Sequence, residues 1–288
     1  MIHFEYAEPR SLPEASALLL ARHGASSVMA GGTDLLVEIK EHLRAVPCVI
    51  NIKRIPDLNR MSYDGKTGLT FGALTTAREI ECNGDVGRHY PGLQQAVRDL
   101  GSIQVRNRAT VIGNICRASP SADTPPPLIA DGAFITLGNG TAAREMLLED
   151  FFLGPGKTAL QPGELALAIR VPPPPVRCGR IYLKHGRRKA MELATVGVAV
   201  SIALDAGGRC TEARIALGAV APVPIRAPEA ERALVGSKLD ATALQLAATL
   251  AMQASKPISN VRASAGYRRE MVGVLTRRAL EQALAQIQ

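Results

Sequence analysis

The chain has 288 residues, of which 47% are hydrophobic and 21% charged, and it carries a formal net charge of +8. The apolar share is ample for packed cores and excludes wholesale disorder, while the length favours two domains. The longest apolar stretch near the N terminus, 15–21, is too short for a membrane span, and no basic segment typical of a secretory signal precedes it. We therefore expect a soluble protein without a membrane span.

The five cysteines lie more than 30 residues apart. This spacing predicts neither a disulfide framework nor a self-contained metal site. Dispersed thiols fit a reducing compartment, so we expect a cytoplasmic protein with no metal ligands of its own.

The positive charge is concentrated in one part of the chain. Residues 1–176 hold 17 Lys and Arg against 18 Asp and Glu, whereas residues 177–288 hold 17 against 8. The change coincides with four prolines, 172–175, which cannot join a helix or a central strand and therefore form a stiff connector. We place a domain boundary there. The basic half alone leaves open nucleic acid, an acidic protein partner or a solvated surface.

Short strands alternate with helices before the prolines. Apolar runs and turn signals predict strands at 27–30, 48–52, 69–73, 110–115, 134–137 and 165–171. Helical spacing and stop signals predict helices at 12–23, 34–43 and 91–100.

After the prolines, strands come first and helices follow. Strands are predicted at 180–184, 194–204 and 212–220, and helices near 226–235, 240–254 and 264–286. This order predicts an α+β domain in which helices cover a three-stranded sheet.

The first candidate site is AGGTDL at 30–35, where a strand runs through two glycines into a helix. Glycines let backbone amides approach a phosphate closely, and a helix N terminus adds partial positive charge. An ordinary strand-to-helix turn, capped by Asp34 or Thr33, explains the same letters. Two glycines alone favour that interpretation.

The second candidate is TVIGNICRASPSADTPPP at 110–127. A glycine and an asparagine follow a β-branched run, and small polar residues lead to Asp123 and three prolines. A stiff, polar and hardly charged segment suits hydroxyl and amide contacts to a ribityl or ribose chain. A rigid structural loop is the alternative.

Two further patterns are weaker. GPGKT at 154–158 lacks the first glycine of a phosphate-binding loop, because position 151 is Phe, so a turn is predicted. The basic cluster 184–189 indicates a partner-facing edge or a source of positive charge for a cofactor. None of the five Tyr and five Phe lies in that cluster, so nucleic-acid binding through base stacking is not expected.

Together these segments resemble the FAD-binding medium subunit of the molybdenum hydroxylases, the family of the xanthine dehydrogenase and carbon monoxide dehydrogenase flavoproteins. The resemblance covers the whole chain, and its ordered motifs make it specific. It is carried by FEY (4–6), AGGTDLL (30–36), FGALTT (71–76), RNRATVIGNICRASPSADTPP (106–126), PGELALAIRVP (162–172) and YLKHGRRKAMELATVGVAV (182–200).

The resemblance implies an α+β fold with two domains. A two-lobed FAD-binding domain of the vanillyl-alcohol-oxidase or PCMH type would occupy 1–175, with lobes of about 1–57 and 58–175. A domain like the C-terminal domain of the carbon monoxide dehydrogenase flavoprotein would occupy 176–288.

Residues that would contact FAD follow from the same resemblance by position. The backbone at 30–34 would hold the pyrophosphate, and 110–114 would line the flavin and ribityl end. Asp123 would bond the cofactor, two leucines would pack against it, and Lys184 would lie near the flavin. The full set is Ala30, Gly31, Gly32, Thr33, Asp34, Leu35, Leu100, Thr110, Val111, Ile112, Gly113, Asn114, Asp123, Leu165 and Lys184.

The resemblance also implies an electron-transfer subunit with no catalytic residue of its own. An iron–sulfur small subunit with two two-iron two-sulfur clusters would relay electrons from a molybdopterin large subunit, in a dimer of heterotrimers. The acceptor would be NAD, oxygen or a quinone-linked carrier. The alternatives are a stand-alone flavin oxidase of the same fold, with Cys116 as the only plausible covalent link, and a non-enzymatic basic binding module.

Two departures from the family pattern are visible. The family usually has Gly-Gly-Asn where this chain has Ile112-Gly113-Asn114. If the first of these positions needs a positive φ, isoleucine is strained there. The cysteine-rich insertion of the hydroxybenzoyl-CoA reductase flavoprotein is missing.

Overall fold

A three-stranded parallel sheet forms the first lobe. The structure, a computed structural model, describes residues 3–22 and 24–287, so His23 at the predicted end of the first helix lies outside it. The elements are β1 Glu5–Ala7, α1 Leu12–Ala21, β2 Ser26–Met29, α2 Leu35–Lys40 and β3 Cys48–Asn51. The strand order is β1-β3-β2, and the central strand is buried along its whole length.

A five-stranded antiparallel sheet forms the second lobe. Its strands are β4 Met61–Asp64, β5 Gly68–Gly72, β6 Phe134–Gly138, β7 Ala143–Leu147 and β10 Leu165–Val171. Their order in the sheet is β4-β5-β10-β6-β7. A small hairpin, β8 Phe152–Gly154 and β9 Lys157–Thr158, contains the predicted turn. The helices are α3 Ala77–Cys82, α4 Gly84–His89, α5 Pro91–Arg98, α6 Ile103–Arg106, α7 Val111–Arg117 and α8 Pro125–Ala130.

Prolines 172–175 form neither helix nor strand, and an antiparallel sheet ordered β11-β12-β13-β14 follows them. Three long strands stand where they were predicted, and a two-residue fourth strand, too short to leave a pattern, is added. The elements are β11 Cys178–His185, β12 Val196–Leu204, β13 Cys210–Gly218, β14 Ile225–Arg226, α9 Pro228–Leu234, α10 Ala241–Ala254 and α11 Ala265–Ala285.

The C-terminal sheet is packed on both faces. One face, with Val198, Val200 and Leu217, forms a core with helices α9 to α11. The other face contributes Tyr182 and Ala199 to the core of the second lobe, against α5 and α8. The sheet therefore contributes to two apolar cores. Separating the two halves of the chain would expose the apolar face that packs on the second lobe.

The prediction of a strand at 110–115 is wrong. Residues Val111–Arg117 form helix α7, whose first turn is capped by the Thr110 hydroxyl accepting the amide of Gly113. The β-branched run reflects burial of Val111 and Ile115 in the core and not an extended backbone. The cap provided by Thr110 favours a helix here, although the β-branched side chains favour a strand.

A buried ion pair below the C-terminal sheet gives a pH-dependent stability. The Asp131 carboxylate lies 3.3 Å from Nε of Arg180, and burial raises the pKa of Asp131 to about 6 despite that guanidinium. The folded protein therefore holds this proton more tightly than the unfolded chain. The contribution of Asp131 to the free energy of unfolding falls as the pH rises from about 4 to about 6, and is constant above.

We expect the pH dependence that Asp131 gives to the free energy of unfolding to disappear in Asp131→Asn. The stability of the wild type relative to that variant should decrease across this pH range, as measured by chemical denaturation in parallel buffers. A relative stability that increases with pH over the same range would contradict the assignment.

Candidate functional site

A cleft between the two lobes, here called the interlobe cleft, has a volume of about 260 Å³. The first lobe lines it with the loop before α2, and the second with the loop before α7, the start of β10 and Leu100. Twelve of the fifteen sequence-predicted residues lie in its wall: Ala30, Gly31, Gly32, Thr33, Asp34, Leu35, Leu100, Thr110, Ile112, Gly113, Asn114 and Leu165.

Gly31 allows the two lobes to approach each other at this cleft. A Cβ atom on Gly31 would lie 2.1 Å from the carbonyl oxygen of Arg108 and 2.9 Å from Cα of Ala109. Those neighbours are backbone atoms and cannot rotate away. The next residue, Gly32, has φ +76°, a conformation that side chains rarely adopt. Glycine is thus required at position 31 by the close contact between the lobes and at position 32 by the backbone conformation.

The loop leaves a row of unused backbone donors. In the described part of the chain, the amides of Gly31 to Leu35 donate no hydrogen bond to a backbone or side-chain acceptor. Asp34 stands at the N-cap of α2 but makes no capping bond, so the interpretation as an ordinary capped turn lacks its expected contact. Unused amides at a helix start suit an anion such as a phosphate.

Two cationic side chains, Lys53 and Arg108, lie near this loop. Nζ of Lys53 donates to the carbonyl of Ala30 at 2.9 Å, and burial together with the neighbouring Arg108 lowers the pKa of Lys53. The carbonyl of Ala30 is thus bonded to an ammonium group, and the positive charge of Lys53 beside the loop favours an anion there.

The opposite wall is the first turn of α7. Thr110 Oγ1 accepts the amide of Gly113 at 3.0 Å, and a Cβ on Gly113 would lie 2.7 Å from that oxygen. Ile112 has a helical backbone and not a positive φ, so the strain anticipated for isoleucine does not arise. Its side chain is buried while lining the cleft, and that of Val111 lies in the core behind it.

Asn114 connects this wall to the polar segment that follows. Its Oδ1 accepts the hydroxyl of Thr124 at 2.8 Å, which orients the Asn114 amide. The hydroxyl also fixes the residue next to Asp123. This bond joins the first turn of α7 to the residues around Asp123.

Asp123 and Lys184 form a buried pair outside the cleft wall. Nζ of Lys184 donates to Asp123 Oδ2 at 2.8 Å and to the carbonyl of Asp99 at 3.0 Å, next to Leu100 of the cleft. The hydroxyl of Tyr182 donates to Asp123 Oδ1 at 2.8 Å. Burial raises the pKa of Asp123 to about 6, although Lys184 and Tyr182 both stabilise its charge.

Sequence reasoning missed Tyr182 and the charged residues of the cleft. Tyr182 stands two positions before Lys184, on the same face of β11, and this period of two was the available signal. Glu38 of the first lobe pairs with Arg117 of the second within the cleft wall. No local pattern links two residues on different lobes.

Comparison with known proteins identifies the family. Residues 2–174 match the family described as the FAD binding domain in molybdopterin dehydrogenase, and residues 181–283 match the CO dehydrogenase flavoprotein C-terminal domain. The carbon monoxide dehydrogenase medium chain of Afipia carboxidovorans is 34% identical over 98% of this chain and 97% of its own. The chain belongs to this family of FAD-binding subunits.

Other relatives agree with this assignment. The xanthine dehydrogenase FAD-binding subunit of Escherichia coli O157:H7 is 30% identical over 93% of this chain and 91% of its own. Carbon monoxide dehydrogenase from Hydrogenophaga pseudoflava superposes with a TM-score of 0.94 at 35% identity, covering 99% of each chain. The sequence-based predictions of an FAD-binding α+β flavoprotein subunit of a molybdenum hydroxylase are thus confirmed.

Three observations complete the description of this FAD-binding subunit. No described helix is long and apolar enough to cross a membrane. The described residues contain no group of His, Cys, Asp and Glu that could hold a metal ion. Burial raises the pKa of Cys116, which borders the cleft, to about 12, so its thiol is protonated and a poor nucleophile at neutral pH.

Proposed function

We propose that FAD binds non-covalently in the interlobe cleft. The observation that carries this proposal is the row of unused amides at Gly31 to Leu35, in a loop that can lie against the second lobe only because residue 31 has no side chain. A dinucleotide needs a phosphate cradle between two half-sites, and the cleft offers such a cradle beside an apolar wall. The residues present fit FAD.

Different residues serve the two ends of the cofactor in this proposal. The amides of 31–35 bind the pyrophosphate, and the first turn of α7, 110–114, lines the flavin and ribityl end. Leu100 and Leu165 supply the apolar wall that excludes water. Lys184 lies behind Leu100 without entering the cleft, and Asp123 holds it there and balances its charge.

Bound FAD supplies reversible electron uptake and release, and the chain binds, orients and shields it. We propose that the electrons come from an iron–sulfur small subunit with two two-iron two-sulfur clusters, fed by a molybdopterin large subunit. The support is that the matched family is described as the FAD binding domain in molybdopterin dehydrogenase, and that similar proteins are named a medium chain and an FAD-binding subunit. We further propose a dimer of heterotrimers in the cytoplasm, with NAD, oxygen or a quinone-linked carrier as acceptor.

We propose that the boundary between the two domains lies at prolines 172–175. Residues 1–175 form the FAD-binding domain, with lobes of about 1–57 and 58–175, and 176–288 form the C-terminal domain. The two family matches, 2–174 and 181–283, and the change of charge between the halves support this division.

Cys116→Ser is expected to leave FAD binding unchanged. The protonated, buried thiol takes no part in attachment, so the cofactor should be recovered as free FAD from both wild type and variant after acid denaturation. Flavin that stays with the precipitated wild-type protein but not with the variant would contradict this prediction.

The proposed assembly is tested by isolating the tagged chain from its native host under mild conditions. We expect iron, molybdenum and FAD in constant ratio in one complex, with the absorbance of iron–sulfur clusters added to that of flavin. A flavoprotein that turns over substrate alone, free of iron and molybdenum, would overturn the assembly and favour the stand-alone oxidase.

A further inference from the structure

A second cavity, of about 500 Å³, lies at the junction of the two halves and shares no lining residue with the interlobe cleft. We call it the arginine cavity. Three guanidinium groups and one imidazole line it, and among the residues that the structure describes no carboxylate side chain does. The lining residues that matter here are Arg88, His89, Pro174, Arg177, Arg180, Gln286 and Ile287.

We infer that the arginine cavity is a binding site for a small phosphorylated ligand. Planar guanidinium groups match the oxygens of phosphate in pairs, and several of them around one cavity neutralise more than one negative charge. The proline and isoleucine walls add apolar surface for the rest of such a ligand. This inference is independent of FAD binding in the interlobe cleft.

Arg180 is the buried arginine of the arginine cavity. Its side chain is 5% exposed, and Nη1 donates to the carbonyl of His89 at 3.0 Å. Asp131 balances its charge at 3.3 Å from Nε, but Nε makes no hydrogen bond. In the described residues no acceptor is bonded to Nη2 either. Nε is itself buried beside Asp131, so Nη2 is the donor of this guanidinium that is left for a ligand in the cavity.

Arg88 and Arg177 supply the net charge. Both side chains are exposed, and within the described ranges 3–22 and 24–287 neither pairs with a carboxylate. Arg177 has φ +54°, a left-handed conformation uncommon outside glycine, and its carbonyl accepts the amide of Leu204. The fold therefore holds Arg177 in a costly conformation at the cavity.

The location gives the ligand contacts with both halves of the chain. Arg88 and His89 come from α4, Pro174 and Pro175 from the connector, and Arg177 and Arg180 from the C-terminal side. A ligand contacting all of them ties the connector to both domains. Because it binds the folded state only, it should also raise the melting temperature.

The test uses the full-length chain saturated with FAD, titrated by calorimetry with inorganic pyrophosphate and with ADP. Flavin absorbance is followed to show that FAD stays bound, and adenosine serves as the probe without phosphate. We expect both phosphate probes to bind and adenosine not to bind. Arg88→Gln and Arg177→Gln should each weaken binding by about tenfold, since each removes one charged contact.

Arg269→Gln is the matched control, an exposed arginine on α11 roughly 25 Å along the helix from Gln286. It should leave the affinity for both probes unchanged. All three variants change exposed side chains, and equal melting temperatures without probe would show intact folding. The site is overturned if neither phosphate probe binds at millimolar concentration, or if Arg269→Gln weakens binding as much as Arg177→Gln.

Discussion

Gly31→Ala is expected to weaken FAD binding by roughly a hundredfold or more, because charge-assisted amide contacts to a pyrophosphate are worth about 1.5–3 kcal/mol each and at least two are lost. The added Cβ would lie 2.1 Å from the Arg108 carbonyl oxygen, so the loop at 30–35 or the chain at 108–109 must move by more than an ångström. Either movement turns the amides of Gly31 to Leu35 away from one common point. FAD affinity is measured by fluorescence titration.

Gly65→Ala is the control for that experiment. Gly65 lies in the turn between β4 and β5, has no positive φ, and a Cβ there would meet nothing within 4 Å. Its FAD affinity should equal that of the wild type. Wild-type affinity in Gly31→Ala, with the fold intact by circular dichroism, would contradict the assignment of the loop as the phosphate cradle.

Asp123→Ala is expected to lower the free energy of unfolding by about 3–5 kcal/mol. It leaves the ammonium of Lys184 and the hydroxyl of Tyr182 buried with one partner fewer, at the junction of the two halves. Lys184→Met should cost a similar amount because it leaves the carboxylate as the unpaired charge. The double variant should cost less than the sum, since both charges are then gone.

Guanidinium denaturation monitored by circular dichroism provides these values. The control is Glu281→Gln, which removes an exposed pair with Arg277 at 3.9 Å on α11 and should change stability by less than about 0.5 kcal/mol. A loss below about 1 kcal/mol in Asp123→Ala would show that the pair does not hold the two halves together.

Apolar runs and glycines that are adjacent in sequence predicted many of the strands and one loop of the fold, because such local patterns largely determine where strands and turns form. The buried strand Leu165–Val171 has the bounds that its apolar run predicts, and the three long C-terminal strands are close to theirs. The glycine loop at 30–35 was predicted because a strand, two glycines and a helix start are adjacent in sequence. Helix α7 was missed because a capping hydrogen bond, from the amide of Gly113 to the hydroxyl oxygen of Thr110, outweighed a β-branched run.

Contacts between distant residues escaped prediction for a different reason. Tyr182 and Asp123 are 59 positions apart, and Glu38 and Arg117 are 79 apart. Each pair exists only because separate lobes or domains pack together, and one sequence contains no record of that packing. The family resemblance supplied Asp123 and Lys184 as cofactor residues, but not that they bond each other outside the cleft wall.

Titration of the purified wild-type chain with FAD, beside the Gly31→Ala variant, tests the central claim most directly. The structure predicts that the wild type takes up FAD in a stoichiometric complex with a perturbed flavin spectrum, that denaturation releases the cofactor intact, and that the variant loses this binding. A colourless wild-type chain that takes up no added FAD, or a variant that binds FAD as the wild type does, would contradict FAD binding in the interlobe cleft.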